Sequence, residues 1–249
     1  MENRREGDTD ATGAAARVSA WRGWIMRLAR DWAVVVALGT LALYGLAKVG
    51  EDVLAHETTR FDGAIQGWVL AHQYGVLVRL FFWITWAGGV APMCALALGG
   101  AGFLWYHGHR RVAASVLLAP TVAVTLFLLI KRIYARPRPA GLADMVLSSY
   151  SFPSGHATAS TAICGTLAYV YWREGFVTRR TALWLAVLVP LLVGLSRVYL
   201  NAHWATDVIG GWSAGLLIAV LSAVLYDRNR RRRAPVVSGT TPNLTDLSA

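Results

Sequence analysis

The sequence has few charged residues for its length. Asp, Glu, Lys and Arg make up only 15% of its 249 residues, whereas 55% are hydrophobic; soluble domains carry roughly 25% charged residues. The mean hydropathy is +0.44. A chain with so few polar side chains cannot cover a globule in water. This composition excludes a soluble enzyme and indicates a protein that lies in a bilayer.

Cysteine is also scarce, and neither of its two occurrences suggests a structural role. Cys94 and Cys164 both lie within apolar runs, so we expect neither a disulfide framework nor a cysteine-based zinc site. The net charge is nonetheless +10. A nucleic-acid-binding module can carry such a charge, but not together with this hydropathy. In a membrane protein, an excess of Lys and Arg is typical of cytoplasmic loops.

Long apolar runs, by contrast, are abundant. A helix that crosses a membrane needs about 20 apolar residues. We therefore predict an all-α fold, a bundle of six transmembrane helices that occupies residues 32–226. The predicted spans are 32–49, 76–106, 112–133, 154–172, 182–200 and 207–226. The second is too short for two crossings and a turn, and we interpret it as one tilted helix weakened at Gly88, Gly89 and Pro92.

The distribution of basic residues orients this bundle. Six crossings place both termini on one side. If that side is cytoplasmic, the inner segments hold 16 of the 24 Lys and Arg residues and the outer loops hold 6, as the positive-inside rule requires. Residues 1–31 are then a cytoplasmic tail with an amphipathic interfacial helix at 17–30. Residues 227–249 are a basic, disordered cytoplasmic tail that binds anionic lipid rather than nucleic acid.

Three short polar stretches lie at the predicted outer ends of the helices. They run from Lys131 to Pro139, from Tyr150 to His156 and from Ser196 to Asp207. They are far apart in the chain, but the six-helix topology brings them to one face of the bundle. Ionisable residues are costly close to a bilayer and tend to be functional there. The predicted active site is therefore at the extracytoplasmic face.

The cations and the helix start in these stretches suit the binding of an oxyanion. Lys131, Arg138 and Arg197 supply fixed positive charge, and an Arg fork matches the oxygens of a phosphate. Ser154 and Gly155 stand where a helix begins, so backbone N–H groups should face the same anion.

The two histidines suit the cleavage of a phosphate ester. His203 and Asp207 are spaced i, i+4, so the carboxylate can hold one ring nitrogen protonated and leave the other as a nucleophile. His156 is a second imidazole, placed to protonate a leaving alkoxide. Asp207 is the only acid in the three stretches. We therefore expect no metal site and no cofactor.

The spacing of these residues resembles a known family. Three motifs can be written from these stretches: K-x6-R-P from Lys131 to Pro139, P-S-G-H from Pro153 to His156, and S-R-x5-H-x3-D from Ser196 to Asp207. These look like the three motifs of the type 2 phosphatidic acid phosphatases (PAP2), in the branch of bacterial integral-membrane lipid phosphatases. The resemblance covers about 60 to 226. Asn201 stands where relatives often have Gly, which leaves the substrate preference open.

The resemblance implies a metal-independent lipid phosphatase in the cytoplasmic membrane of a bacterium. His203 would form a phosphohistidine, oriented by Asp207, and His156 would protonate the leaving group. The substrate would be the phosphomonoester or diphosphate headgroup of a lipid: phosphatidate, phosphatidylglycerol phosphate or undecaprenyl diphosphate. The phosphate oxygens would be held by Lys131, Arg138, Ser154, Gly155 and Arg197.

The same residues suit two other functions less well. A vanadate-dependent oxidant can use the same oxyanion site, but six spans argue against it. A transporter of anionic lipid or phosphate can use the cations as a binding ring, but it would be expected to place polar groups in mid-span.

Residues 61–74 either form an interfacial helix over the lipid entrance or continue the start of the second span.

Overall fold

The computed structural model describes residues 33–140 and 149–231. Within these ranges the chain forms eight helices and no strand, which confirms the all-α prediction there. The helices are α1 (Ala33–Leu54), α2 (Thr59–Ala71), α3 (Gly75–Ala87), α4 (Val90–Tyr106), α5 (Arg110–Tyr134), α6 (Gly155–Arg173), α7 (Arg179–Tyr199) and α8 (Ala205–Arg231). The predicted helix at 17–30 and the tail after residue 231 lie outside the described residues.

Within residues 33–140 and 149–231, fewer than six helices are long and apolar enough to cross a membrane. By this test α1, α5, α7 and α8 qualify, and α3 with α4 counts as a fifth span if the two are taken together. These two are bent by 48° at their junction, so the interpretation of 76–106 as one tilted helix is wrong. Gly88 ends α3, and Gly89 has an extended backbone before α4 begins. Pro92 is tolerated because the first turn of a helix does not use its N–H groups.

The fourth predicted span forms α6, but α6 is not among the strongly apolar helices. It packs against α4, α5, α7 and α8, and twelve of its 19 residues are buried. Most of these are Ala, Ser, Thr or Gly. A helix surrounded by other helices needs small side chains for close packing rather than large apolar ones for lipid. The count of six spans and the cytoplasmic termini stay predictions.

Two glycines allow α8 to approach α6 closely. A Cβ at Gly211 would lie 2.7 Å from the carbonyl oxygen of Ser154, and one at Gly215 would lie 2.6 Å from that of Thr158. Residues four apart share one face of a helix, so these glycines form a flat strip without side chains. The contact brings the starts of both helices together, and the backbone N–H of Ser154 donates to the carbonyl of Asp207 at 2.9 Å.

The segment 61–74 lies mostly in α2, which is a helix of its own. Residues 72–74 separate it from α3, so the alternative that it continues the second span is wrong. Asp62 and Val69 are buried, whereas Phe61 and Trp68 are 51% and 61% exposed. One face of α2 therefore packs on the bundle, and the other presents aromatic rings outward.

The outer surface of the bundle is strongly apolar. Large side chains are exposed along the outer helices, among them Leu80, Trp83 and Trp86 on α3 and Leu183 and Trp184 on α7. A water-soluble protein rarely exposes apolar area this continuous. The surface is that of an integral membrane protein.

Candidate active site

Lys131 lies in the last turn of α5, where the chain bends back towards the bundle. The helix ends at Ala135, whose φ of 43° is left-handed, and Pro137 and Pro139 prevent the helix from continuing. Lys131 is buried. Its Nζ donates to the carbonyls of Tyr150 and Ser151, the latter at 3.4 Å. The cation is therefore held against the segment that leads into α6.

Arg138 is buried and lies directly against His203. Its Nη1 donates to the carbonyl of Ala202 at 2.7 Å and lies 3.0 Å from Nε2 of His203. Its other nitrogens donate to Ser149, including Nε to the carbonyl at 2.8 Å. Because a guanidinium can only donate, Nε2 must accept, and the ring proton lies on Nδ1.

His203 and Asp207 form a buried pair. Nδ1 of His203 lies 3.3 Å from Oδ2 of Asp207, and the backbone N–H of Trp204 donates to the same oxygen at 2.9 Å. Burial lowers the pKa of His203 well below the usual 6.5, and the positive charges of Arg197, Arg138 and Lys131 lower it further. The ring is therefore neutral, with its lone pair on Nε2.

Arg197 and Ser154 each have one buried polar atom that forms no hydrogen bond with the described part of the chain. Arg197 lies in the last turn of α7, and its Nη1 donates to Oγ1 of Thr85 on α3 at 2.7 Å. Nε of Arg197 and Oγ of Ser154 have no hydrogen-bond partner among the residues that the structure describes. Buried polar atoms without partners are rare, so these two donors suit an anionic ligand.

His156 lies in the first turn of α6, next to Gly155. A Cβ at Gly89 would lie 3.6 Å from its Nε2, so the break between α3 and α4 gives the ring room. The imidazole lies near the guanidinium of Arg197 and the ring of His203.

All eight residues predicted for the site meet at one end of the bundle. They are Lys131, Arg138, Ser154, Gly155, His156, Arg197, His203 and Asp207. Within residues 33–140 and 149–231, no group of three or more His, Cys, Asp or Glu could hold a metal ion. The arrangement brings three buried cations and two imidazoles together at this end of the bundle.

Three contacts of the site were not predicted from the sequence. Arg136 donates to Asp207 and to Asp62, in both cases at 2.7 Å. Thr85 accepts from Arg197. Asp62 and Thr85 are more than 70 residues from their partners, and no local spacing indicates such contacts. In the sequence, Arg136 is one of the four basic residues from Lys131 to Arg138, a position that indicates no partner for it.

Comparison with known proteins identifies the family. Residues 111–231 match the PAP2 superfamily. Phosphatidylglycerophosphatase B of Bacillus subtilis is 32% identical over 139 residues, which cover 54% of this chain and 67% of that protein. The chain belongs to the PAP2 superfamily.

Other members of the PAP2 superfamily resemble the chain in sequence and fold. An undecaprenyl-diphosphatase of Sulfolobus acidocaldarius is 30% identical over 62% of this chain and 66% of that protein. The crystal structure of a transmembrane PAP2-type phosphatidylglycerolphosphate phosphatase from Bacillus subtilis superposes with a TM-score of 0.66 at 26% identity, over 80% of this chain and 98% of that one. The predictions of the family and of a phosphatase are thus confirmed.

The environment of His203 predicts its charge in the ligand-free PAP2 protein. Because its pKa lies below the usual value, the ring should stay neutral as the pH falls to about 6 and take up a proton only at much lower pH. Nitrogen-15 NMR of histidine-labelled protein in detergent, assigned with His203→Ala, measures this. A His203 signal that is already protonated at that pH would contradict the described environment.

Proposed function

We propose that this PAP2 protein hydrolyses the phosphate headgroup of a membrane lipid through a phosphohistidine on His203, without a metal ion. The observation that supports this most is the contact of Nε2 of His203 with Nη1 of Arg138, at 3.0 Å, within a group of buried cations. The lone pair of a neutral imidazole beside several positive charges suits attack on an anionic phosphoryl group. Such attack is otherwise opposed by charge repulsion.

The phosphate would occupy the space between the cations and the start of α6. Its oxygens would take hydrogen bonds from Oγ of Ser154 and Nε of Arg197, the two buried donors that have no partner among the described residues. The first N–H groups of α6, from Gly155 onward, are not used within the helix and point the same way. Nη1 of Arg138 would donate its hydrogen bond to a phosphate oxygen instead of Nε2 of His203. This change of partner would free Nε2 as the nucleophile.

The reaction would proceed in two displacements at phosphorus. His156 enters the reaction protonated, as the negative charge of the bound phosphate would favour. Nε2 of His203 forms the bond to phosphorus as the bond to the leaving oxygen breaks, and His156 gives that oxygen its proton. Asp207 accepts from Nδ1 and stabilises the positive charge that develops on the ring. Water then attacks the phosphohistidine and gives a proton to His156, which restores both histidines and releases phosphate.

The lipid nature of the substrate is inferred from the surroundings of the site and from the relatives. The site lies at one end of a bundle with an apolar outer surface, at the level where a lipid headgroup would sit. The names of the relatives include a phosphatidylglycerophosphatase, two undecaprenyl-diphosphatases and lipid A 1-phosphatases. We therefore propose phosphatidate, phosphatidylglycerol phosphate or undecaprenyl diphosphate as substrate.

A panel of these lipids, assayed for phosphate release in detergent with excess chelator, tests substrate and metal together. We expect release to continue in chelator because the cations Lys131, Arg138 and Arg197 take the place of a metal ion. The rank order of rates would identify the lipid. Loss of turnover in chelator that Mg²⁺ restores would contradict the proposed mechanism.

Substitution of each histidine tests their separate roles. His203→Ala should abolish turnover of every substrate because no phosphoenzyme can form. His156→Ala should slow lipid esters by roughly the 10²–10⁴-fold of general acid catalysis, but an activated aryl phosphate much less, since its leaving group needs no proton. A trapped phosphoenzyme on His156 rather than His203 would reverse the assignment.

We also propose that the site faces outward from the cytoplasmic membrane of a bacterium. The support is the excess of Lys and Arg in the segments assigned to the inner side. A reporter fused after Ala249 should therefore be active in the cytoplasm. A tag inserted between residues 50 and 58 should be accessible from outside. The opposite pattern would place the site on the cytoplasmic side.

A further inference from the structure

Arg136 connects α2 to the histidine pair of the site. Its Nη1 donates to Oδ1 of Asp207, and its Nη2 donates to Oδ2 of Asp62, both at 2.7 Å. We propose that Asp62 and Arg136 are positioning residues for the reaction: they orient the carboxylate of Asp207, so that docking of α2 sets the orientation of His203. This inference rests on the proposed function because it assigns a role in the attack by His203.

The position of Asp62 is unusual for a residue of an interfacial helix. It is only 2% exposed, although Phe61 next to it and Trp68, nearly two turns on, face outward. Its Oδ1 accepts from the backbone N–H of Thr206 at 3.0 Å, and its Oδ2 accepts from the hydroxyl of Thr206 at 2.6 Å. A buried carboxylate is costly unless it is paired and hydrogen-bonded, and here every contact is to Arg136 or to the residue before Asp207.

The contacts of Asp207 explain how Arg136 acts on His203. Oδ2 of Asp207 faces Nδ1 of His203 and the N–H of Trp204, whereas Oδ1 faces Arg136. Because each oxygen has a different partner, these contacts together fix the orientation of the carboxylate. Loss of Arg136 would leave Oδ1 without its cation and weaken the alignment of Oδ2 with Nδ1 of His203.

Asp62 adjusts the charge that Arg136 presents to Asp207. A guanidinium paired with Asp207 alone would neutralise most of its negative charge. Shared between two carboxylates, Arg136 leaves the network with a net negative charge beside His203. That charge stabilises the imidazolium that develops during attack. A neutral residue at position 62 would keep the shape and remove this effect.

A second contact fastens α2 without involving Asp207 and supplies a matched control. Nε2 of Gln66 donates to Oδ1 of Asn201 at 3.1 Å, one turn along α2 from Asp62. Gln66→Leu should therefore remove one of the contacts that anchor α2 but leave the carboxylate network intact. A role limited to anchoring α2 predicts the same outcome for Gln66→Leu and Asp62→Asn.

The experiment compares Asp62→Asn, Arg136→Gln, Arg136→Lys, the double variant Asp62→Asn with Arg136→Gln, and Gln66→Leu in the full chain in detergent. The measured quantities are kcat and KM for p-nitrophenyl phosphate and the inhibition constant of inorganic phosphate. We expect Arg136→Gln to lower kcat about 10- to 100-fold, as is usual for groups that orient a reacting imidazole. Arg136→Lys should recover part of this loss.

The remaining variants separate positioning from anchoring. Asp62→Asn should lower kcat roughly tenfold with KM and phosphate inhibition within about threefold of wild type, whereas Gln66→Leu should keep kcat within about twofold. The double variant should lose no more than Arg136→Gln alone, because the two residues act as one unit.

Two results would overturn the inference. One is a folded Asp62→Asn protein with wild-type kcat. The other is a shift of KM and phosphate inhibition that is the same in Asp62→Asn and Gln66→Leu, with kcat unchanged. Asp62→Asn preserves the shape of the side chain, so this variant tests the positioning role even if Arg136→Gln does not fold. A wild-type protein that releases no phosphate from any substrate would instead overturn the proposed function itself.

Discussion

The burial of like charges beside one imidazole is the constraint on which the rest of this structure depends. Lys131, Arg138 and Arg197 are each less than 10% exposed and repel one another in a region of low dielectric. Each is held by fixed acceptors from a different part of the chain: carbonyls before α6, the carbonyl of Ala202, and the hydroxyl of Thr85. Their positions therefore depend on correct packing of the whole bundle, and a bound anion would relieve their repulsion.

Close packing of the helices fixes the positions of these residues. Gly211 and Gly215 let α8 lie against α6 almost backbone to backbone, so Ser154 and Asp207 are joined by a main-chain hydrogen bond. The break between α3 and α4 leaves room for His156 and ends α3 close to α7. The small residues of α6 that make this packing possible also make the helix less apolar than its neighbours. Site geometry thus takes precedence over hydropathy at the centre of the bundle.

Much of the site could be predicted from the sequence because its pieces are local. His203 and Asp207 are one helical turn apart, Ser154 to His156 form one helix start, and each piece stands at the end of an apolar run. The contacts that could not be predicted are those between distant segments. Asp62, Arg136 and Thr85 have no partner nearby in the chain, so only the fold reveals their role. The 48° bend between α3 and α4 was visible as a weak point but not as a break, because Gly permits either geometry.

We propose that the cations, the start of α6 and Nε2 of His203 together form a site for a phosphoryl group under attack. An experimental structure of the protein with orthovanadate, which mimics five-coordinate phosphorus, tests this directly. We expect vanadium bonded to Nε2 of His203, with its oxygens in contact with Ser154, Arg138 and Arg197. Arg138 would then no longer contact the ring nitrogen. Vanadate bound elsewhere, or a His203 ring still hydrogen-bonded to Arg138, would contradict it.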